Sequence, residues 1–131
     1  MAIPSGSGTE VLHRGALSTQ SNDPTSFKFD GTLSTVGTET DTVPTNHIVT
    51  VLSIIFCEEA DADEILYLRT FTNAAMNAGD HWFLRSQALG GMQTFVWNDR
   101  FSFSGELYLG ASTQASGNVD IHTTYIDQDW T

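Results

Sequence analysis

Five carboxylates fall within seven residues at Glu58-Glu59-Ala60-Asp61-Ala62-Asp63-Glu64, and a run of that density carries the hard oxygen donors that calcium takes. It lacks the Asp-x-Asp-x-Asp-Gly register and the distal Glu of a helix-loop-helix calcium site. Read plainly, it is a solvated turn between two apolar strands, where charge also discourages edge-to-edge aggregation. The four histidines, His13, His47, His81 and His122, never fall in a His-x-His or His-x-x-x-His spacing, so the sequence supports no metal centre of the cupin or zincin kind. No serine sits in a G-x-S-x-G elbow, and no glycine-rich loop leads into Lys and Ser or Thr. Asp120, Asp127 and Asp129 are the carboxylates one would assemble for glycoside hydrolysis, whose acid and base pairs are made in three dimensions rather than by spacing. No cleft signature accompanies them. The lone cysteine, Cys57, follows the apolar stretch Ser53-Ile54-Ile55-Phe56 and reads as a buried, inert thiol. The expectation is a chain with no catalytic residues, no cofactor and no metal.

Binding chemistry is better represented. Trp82, Trp97, Trp130, Tyr67, Tyr108 and Tyr125 suit either a sugar-stacking platform or an interface anchor, although most aromatics of a small β domain simply fill its core. Trp130 stands apart, because a large apolar side chain at that position gains little unless it docks into a neighbouring element or subunit. Val11-Leu12 is the apolar group that stands out in a stretch rich in Ser, Thr, Gly and Asn over residues 1–24. Val11, Leu12 and Trp130 are therefore the expected interface residues.

The elements that would carry these groups read as strands. Phe27 and Phe29 alternate with Ser26 and Lys28, while Ile48, Val49, Val51, Leu52, Ile54 and Ile55 make a run dense enough for a strand covered on both faces. Ile65, Tyr67 and Phe71 share one face with Arg69, and Leu66, Leu68 and Thr70 take the other. Trp82, Leu84 and Leu89 mark a further strand. Asn98-Asp99 between Thr94–Trp97 and Arg100–Phe103 predicts a tight hairpin, and Gly105 predicts a bulge or a close approach of backbone within an alternating stretch. Val119, Ile121 and Tyr125 form the last strand. Only residues 73–79 suggest a helical turn. The expected fold is all-β: an antiparallel β-sandwich of jelly-roll or immunoglobulin-like type over residues 25–131, preceded by an extended N-terminal arm over residues 1–24.

Composition narrows the partners. Sixteen Asp and Glu against five Lys and Arg give a net charge of −11, which disfavours nucleic acid and anionic membranes, since both are held by clustered basic side chains. Residues 1–6 have neither a basic nor an apolar signal-peptide region, and no apolar run approaches the roughly 20 residues of a membrane span. The expectation is a soluble product of the cytoplasm whose acidic exterior docks onto a basic surface.

Three segments carry a family resemblance: Val43-Pro44-Thr45-Asn46-His47-Ile48-Val49-Thr50-Val51-Leu52-Ser53, Thr94-Phe95-Val96-Trp97-Asn98-Asp99 and Ile126-Asp127-Gln128-Asp129-Trp130. In them the chain resembles small virion structural proteins of tailed bacteriophages. The resemblance implies a capsid decoration (cement) protein, or else a neck or tail component acting as a receptor- or glycan-binding module. It also implies a homo-oligomer, commonly a trimer, partnered with the major capsid protein or another virion protein and located in the virion.

Overall fold

A computed structural model describes residues 9–19, 25–26, 43, 46–73, 77–104, 107–114 and 118–129. Through them run β1 (Thr9–Thr19), β2 (Thr25–Ser26), β3 (His47–Glu58), β4 (Glu64–Phe71), β5 (His81–Leu89), β6 (Thr94–Trp97), β7 (Phe101–Ser104), β8 (Tyr108–Thr113) and β9 (Val119–Asp129). All pairings are antiparallel, and no helix occurs among the described residues. The chain is all-β, as its alternating pattern predicts. One sheet has the order β1-β9-β3-β6, with β7 also on β3; the other has the order β2-β8-β4-β5.

The core lies between the sheets. Val49, Val51, Ile54 and Phe56 of β3 and Ile121 and Tyr125 of β9 meet Leu66 and Leu68 of β4 and Leu109 of β8, each side chain shut off from solvent. Burial on this scale is worth roughly 1.5–3 kcal/mol per large side chain. On β4 the alternation holds as read: Leu66 and Leu68 point in, whereas Tyr67 and Arg69 are half-buried on the outer face.

β3 is less regular. Its buried residues are Val49 and Val51, then Ile54, Phe56 and Glu58, so the inward parity changes from odd to even. The ladder to β9 slips at the same place, Val51 pairing with Tyr125 and Ser53 with Thr124. The extra residue of this bulge lets two apolar pairs of opposite parity reach one core. The strand is thus covered on one face only: Ile48 and Leu52 are half-buried and Ile55 is exposed on the other. That corrects the reading of β3 as covered on both faces, since no layer of the described residues lies over the outer side of this sheet. Cys57 sits on that side, half-buried rather than buried.

The expected hairpin at Asn98-Asp99 is also corrected. β6 pairs with Ile54–Cys57 and β7 with Ile48–Val51, so the two segments lie end to end along β3, facing its bulge, instead of folding back on each other. Neither Asn98 nor Asp99 has a positive φ, which the primed hairpin turn requires. The break is held by Trp97, whose indole Nε1 donates to the Asp99 carbonyl at 2.8 Å.

Within residues 1–24, Thr9–Thr19 pairs with β9 from Thr9↔Asp129 to Thr19↔Val119. The compositional break near residue 24 is therefore not a break in the sheet. Phe27, Lys28, Phe29 and Gly105 lie outside the described residues. In the stretch read as a helical turn, Asn73 Oδ1 accepts from the amides of Asn77 and Ala78, and Gly79 adopts φ 65°.

Leu68→Ala should cost about 2–5 kcal/mol, because a cavity opens in a packed core, whereas the exposed Leu12→Ser should stay within about 0.5 kcal/mol of wild type. Urea unfolding of the two variants checks the contrast.

Candidate functional site

The acidic run is a structural staple. The inward parity of β3 aims Glu58 at the end of the core, where its side chain is buried, and a buried carboxylate must find donors. Its Oε1 accepts from the Ala60 amide at 2.9 Å. Its Oε2 accepts from Ala62 at 3.3 Å and from Met92, on the loop between β5 and β6, at 2.8 Å. The Met92 amide does most to hold the Glu58 carboxyl below its ordinary range; burial opposes this, and the amides of Ala60, Ala62 and Asp61 add to it. Asp63 Oδ1 accepts from the Gly91 amide at 3.2 Å. The two loops touch so closely that a Cβ on Gly91 would stand 2.7 Å from the Asp61 carbonyl carbon and 2.8 Å from the Ala62 nitrogen. No group of three His, Cys, Asp or Glu side chains able to hold a metal assembles among the described residues.

A second polar cluster ties β3 to β9 at the opposite end. His47 pairs with Asp129 in register. Its Nδ1 lies 2.7 Å from Asp127 Oδ1, and its Nε2 lies 3.7 Å from Asp129 Oδ2. Asp120 does not join them: it pairs with Cys57, has the opposite parity to Asp127 and Asp129, and lies about 24 Å along the strand from Asp127. The three carboxylates named for glycoside hydrolysis thus do not form one site.

The aromatics divide between core and surface. Tyr125 is buried with His13 stacked on it at 5.2 Å. Trp97 meets Phe83 edge-on at 5.9 Å, and Phe83 stacks on Phe101 at 4.3 Å. On the outer face of the four-stranded sheet, Tyr67 meets Trp82 at 5.9 Å. The Arg69 guanidinium stands 4.4 Å over Trp82 and 4.7 Å over Phe71, and Arg85 stands 5.3 Å over Trp82, which are cation–π distances. Arg69 Nη1 also pairs with Asp80 at 3.2 Å. Beside them Tyr67, Arg69, Trp82, Ser112 and Gln114 line a cavity of about 230 Å³. Two of the five basic residues of an acidic chain therefore gather on one indole.

The larger surface is the outer face of the other sheet. Leu12 is 65% exposed, Val96 43% and Ile55 37%; Ile55 pairs with Val96, and Leu12 with Ile126. A groove of about 510 Å³ runs between β1 and β3, lined by Arg14, Ala16, Ile55, His122 and Thr124. Of the expected interface residues, Leu12 lies on this face and Val11, 47% exposed, on the other face of the same strand; Trp130 lies outside the described residues. Ile55 and Val96 were missed, because a continuous apolar run hides which of its members face out.

No protein-family model matches the chain, and no curated protein does. Among solved structures, a chain in the crystal structure of the T13 IBDV viral particle matches with a TM-score of 0.38 and 6% identity, over 95% of this chain and 36% of that one. This chain thus spans about a third of that neighbour's length.

Because the folded pKa of Glu58 is lowered, the unfolded carboxyl binds more protons as the medium is acidified. Its contribution is complete above about pH 4.5 and disappears as pH falls through the lower native value. Glu58→Gln should lower the melting temperature at neutral pH and flatten its fall below about pH 4.5, as read from melting curves of both proteins between neutral and acid pH.

Proposed function

We propose that the chain is a non-enzymatic structural protein of a virion, most directly a capsid decoration protein of a tailed bacteriophage that clamps neighbouring capsid subunits. Strand order supports the fold half of this reading. With β6 and β7 counted as one interrupted strand, eight strands form two four-row sheets, and every connection but β4 to β5 crosses from one sheet to the other. That pattern fits a jelly roll, a fold used by capsid domains among others, better than the seven-strand immunoglobulin order. Fold alone does not assign the role.

The observation that carries the role is the outer face of β1, β9, β3 and β6, with Leu12, Ile55 and Val96 exposed. An antiparallel sheet facing water is ordinarily polar on that side. With the 11 residues of β1 as its length and four rows as its width, the face measures roughly 700 Å², close to the about 800 Å² that each partner gives to a stable interface. The basic patch that such an acidic chain would meet belongs to its partner, the major capsid protein or another virion protein, and no cofactor enters this reading. The contact element is β1 and its sheet rather than a free arm.

A second reading, a receptor- or glycan-binding tail module, draws support from Trp82, Tyr67 and their arginines. Glycan-array binding that Trp82→Ala abolishes would favour it over decoration.

Replacing Ile55 by Glu should leave melting close to wild type and weaken binding to undecorated particles by about tenfold or more, since charge is forced into an apolar contact. Quantitative mass spectrometry of purified particles should count copies in the range of the major capsid subunits; a few copies per particle would place the chain at the neck or tail.

A further inference from the structure

A sheet edge is a row of unpaired N–H and C=O groups, and natural proteins protect such rows by breaking, shortening, charging or twisting them. Two edges here are protected. The β6–β7 row is interrupted over residues 98–100. β5 has two register slips and a left-handed Ser86 at φ 63°. β1 is neither short nor broken: it contains neither Lys nor Pro, its two charges, Glu10 and Arg14, are of opposite sign, and its register with β9 is unbroken from end to end. Its free side pairs with no other strand among the described residues.

We infer that β1 is a self-complementary docking edge for a second copy of this chain, the two copies pairing antiparallel so that Leu12 faces the partner's Leu12. The occupant follows from the order of charges. Glu10, Leu12 and Arg14 share the outer face, and all three are exposed. Centred on Leu12, antiparallel pairing places Glu10 opposite the partner's Arg14 and Arg14 opposite the partner's Glu10, two ion pairs flanking an apolar pair. Other centres are worse. Pairing about Arg14 opposes two arginines, pairing about Glu10 opposes two glutamates, and pairing about Val11 sets Leu12 against the partner's Glu10. Pairing about His13 sets Leu12 against the partner's Arg14. On the inner face the chosen register brings the exposed Val11 onto the partner's His13. The contact is isologous, so it closes on a two-fold axis and yields dimers, not trimers. The net charge of −11 opposes association only weakly at physiological salt, where screening acts within about 8 Å, while the cross-strand pairs lie in contact.

This inference rests on the structural reading above and is tested separately from it. Sedimentation equilibrium should show a dimer for the wild-type chain. Glu10→Arg or Arg14→Glu should each weaken it by roughly tenfold or more, as two attractive cross-strand pairs become repulsive, and the double variant Glu10→Arg/Arg14→Glu should regain it. In a Cys57→Ser background, Leu12→Cys should oxidise to a covalent dimer, because directly opposed Cα atoms lie about 4.5–5.5 Å apart, and Arg14→Cys should not. Circular dichroism confirms that each variant is folded. A monomeric wild type, single reversals without effect, or a folded double variant that stays dissociated would each overturn the pairing. Decoration of particles by a monomeric wild type would overturn the pairing and spare the structural reading. A charge-swappable dimer that binds no particle would support the pairing and overturn that reading.

Discussion

The structure turns on one irregularity in its central strand. β3 has to deliver Val49 and Val51 and also Ile54 and Phe56 to a single core, and strict alternation cannot do this, because each of the two pairs then claims a different face. The bulge after Val51 resolves the conflict by changing the parity. The facing row is interrupted alongside it, where the Asn98-Asp99-Arg100 break separates β6 from β7. The next residue in the new phase is Glu58, which is thereby driven inward. A carboxylate in that position is tolerable only with donors on every side, and the loops after β3 and β5 supply them from their own backbone. The same change of phase turns Ile55 outward beside Val96, so one inserted residue both completes the core and brings an apolar pair to the surface.

Charge is distributed with a comparable division. The acidic run, dense enough in sequence to suggest a cation site, is organised by amide donors instead, with Glu58 and Asp63 holding the loop that carries Gly91 and Met92. The few basic groups are local rather than general. Arg69 and Arg85 are drawn to Trp82, and Arg14 stands on the exposed face of β1 two residues from Leu12. Sixteen Asp and Glu against five Lys and Arg leave the chain with a net charge of −11. Specific contact is left to the few places where apolar groups or arginines come to the surface.

How much of this was legible in the sequence varies with range. Alternation along β4 and at the start of β9 depends only on neighbours two residues apart: the pattern puts Leu66 and Leu68 on one face and Val119, Ile121 and Tyr125 in one strand, and all five are buried. Val11 and Leu12 were conspicuous as an isolated apolar pair, and both are exposed. Ile55 and Val96 were not conspicuous, since each sits inside a continuous apolar run, Ile54-Ile55-Phe56 on β3 and Phe95-Val96-Trp97 on β6, that gives no sign of which members face out. The pairing of His47 with Asp127 joins residues 80 apart, and no spacing rule announces it. The Asn98-Asp99 dipeptide resembled a hairpin turn because its residues tolerate one; the backbone did not take it, since β3 offered both flanking segments a partner along the same line.

By itself, then, the sequence determined an all-β chain with alternating apolar stripes, an acidic exterior and a short list of side chains with something to bind, because those properties follow from residue type and local period. Tertiary structure alone decided which stripe faces the core, which edge stays open and where each carboxylate finds its donors. The physical reason is that parity, strand order and register are settled between segments far apart in the chain, through burial and cross-strand hydrogen bonds that exist only once the two sheets have closed on each other.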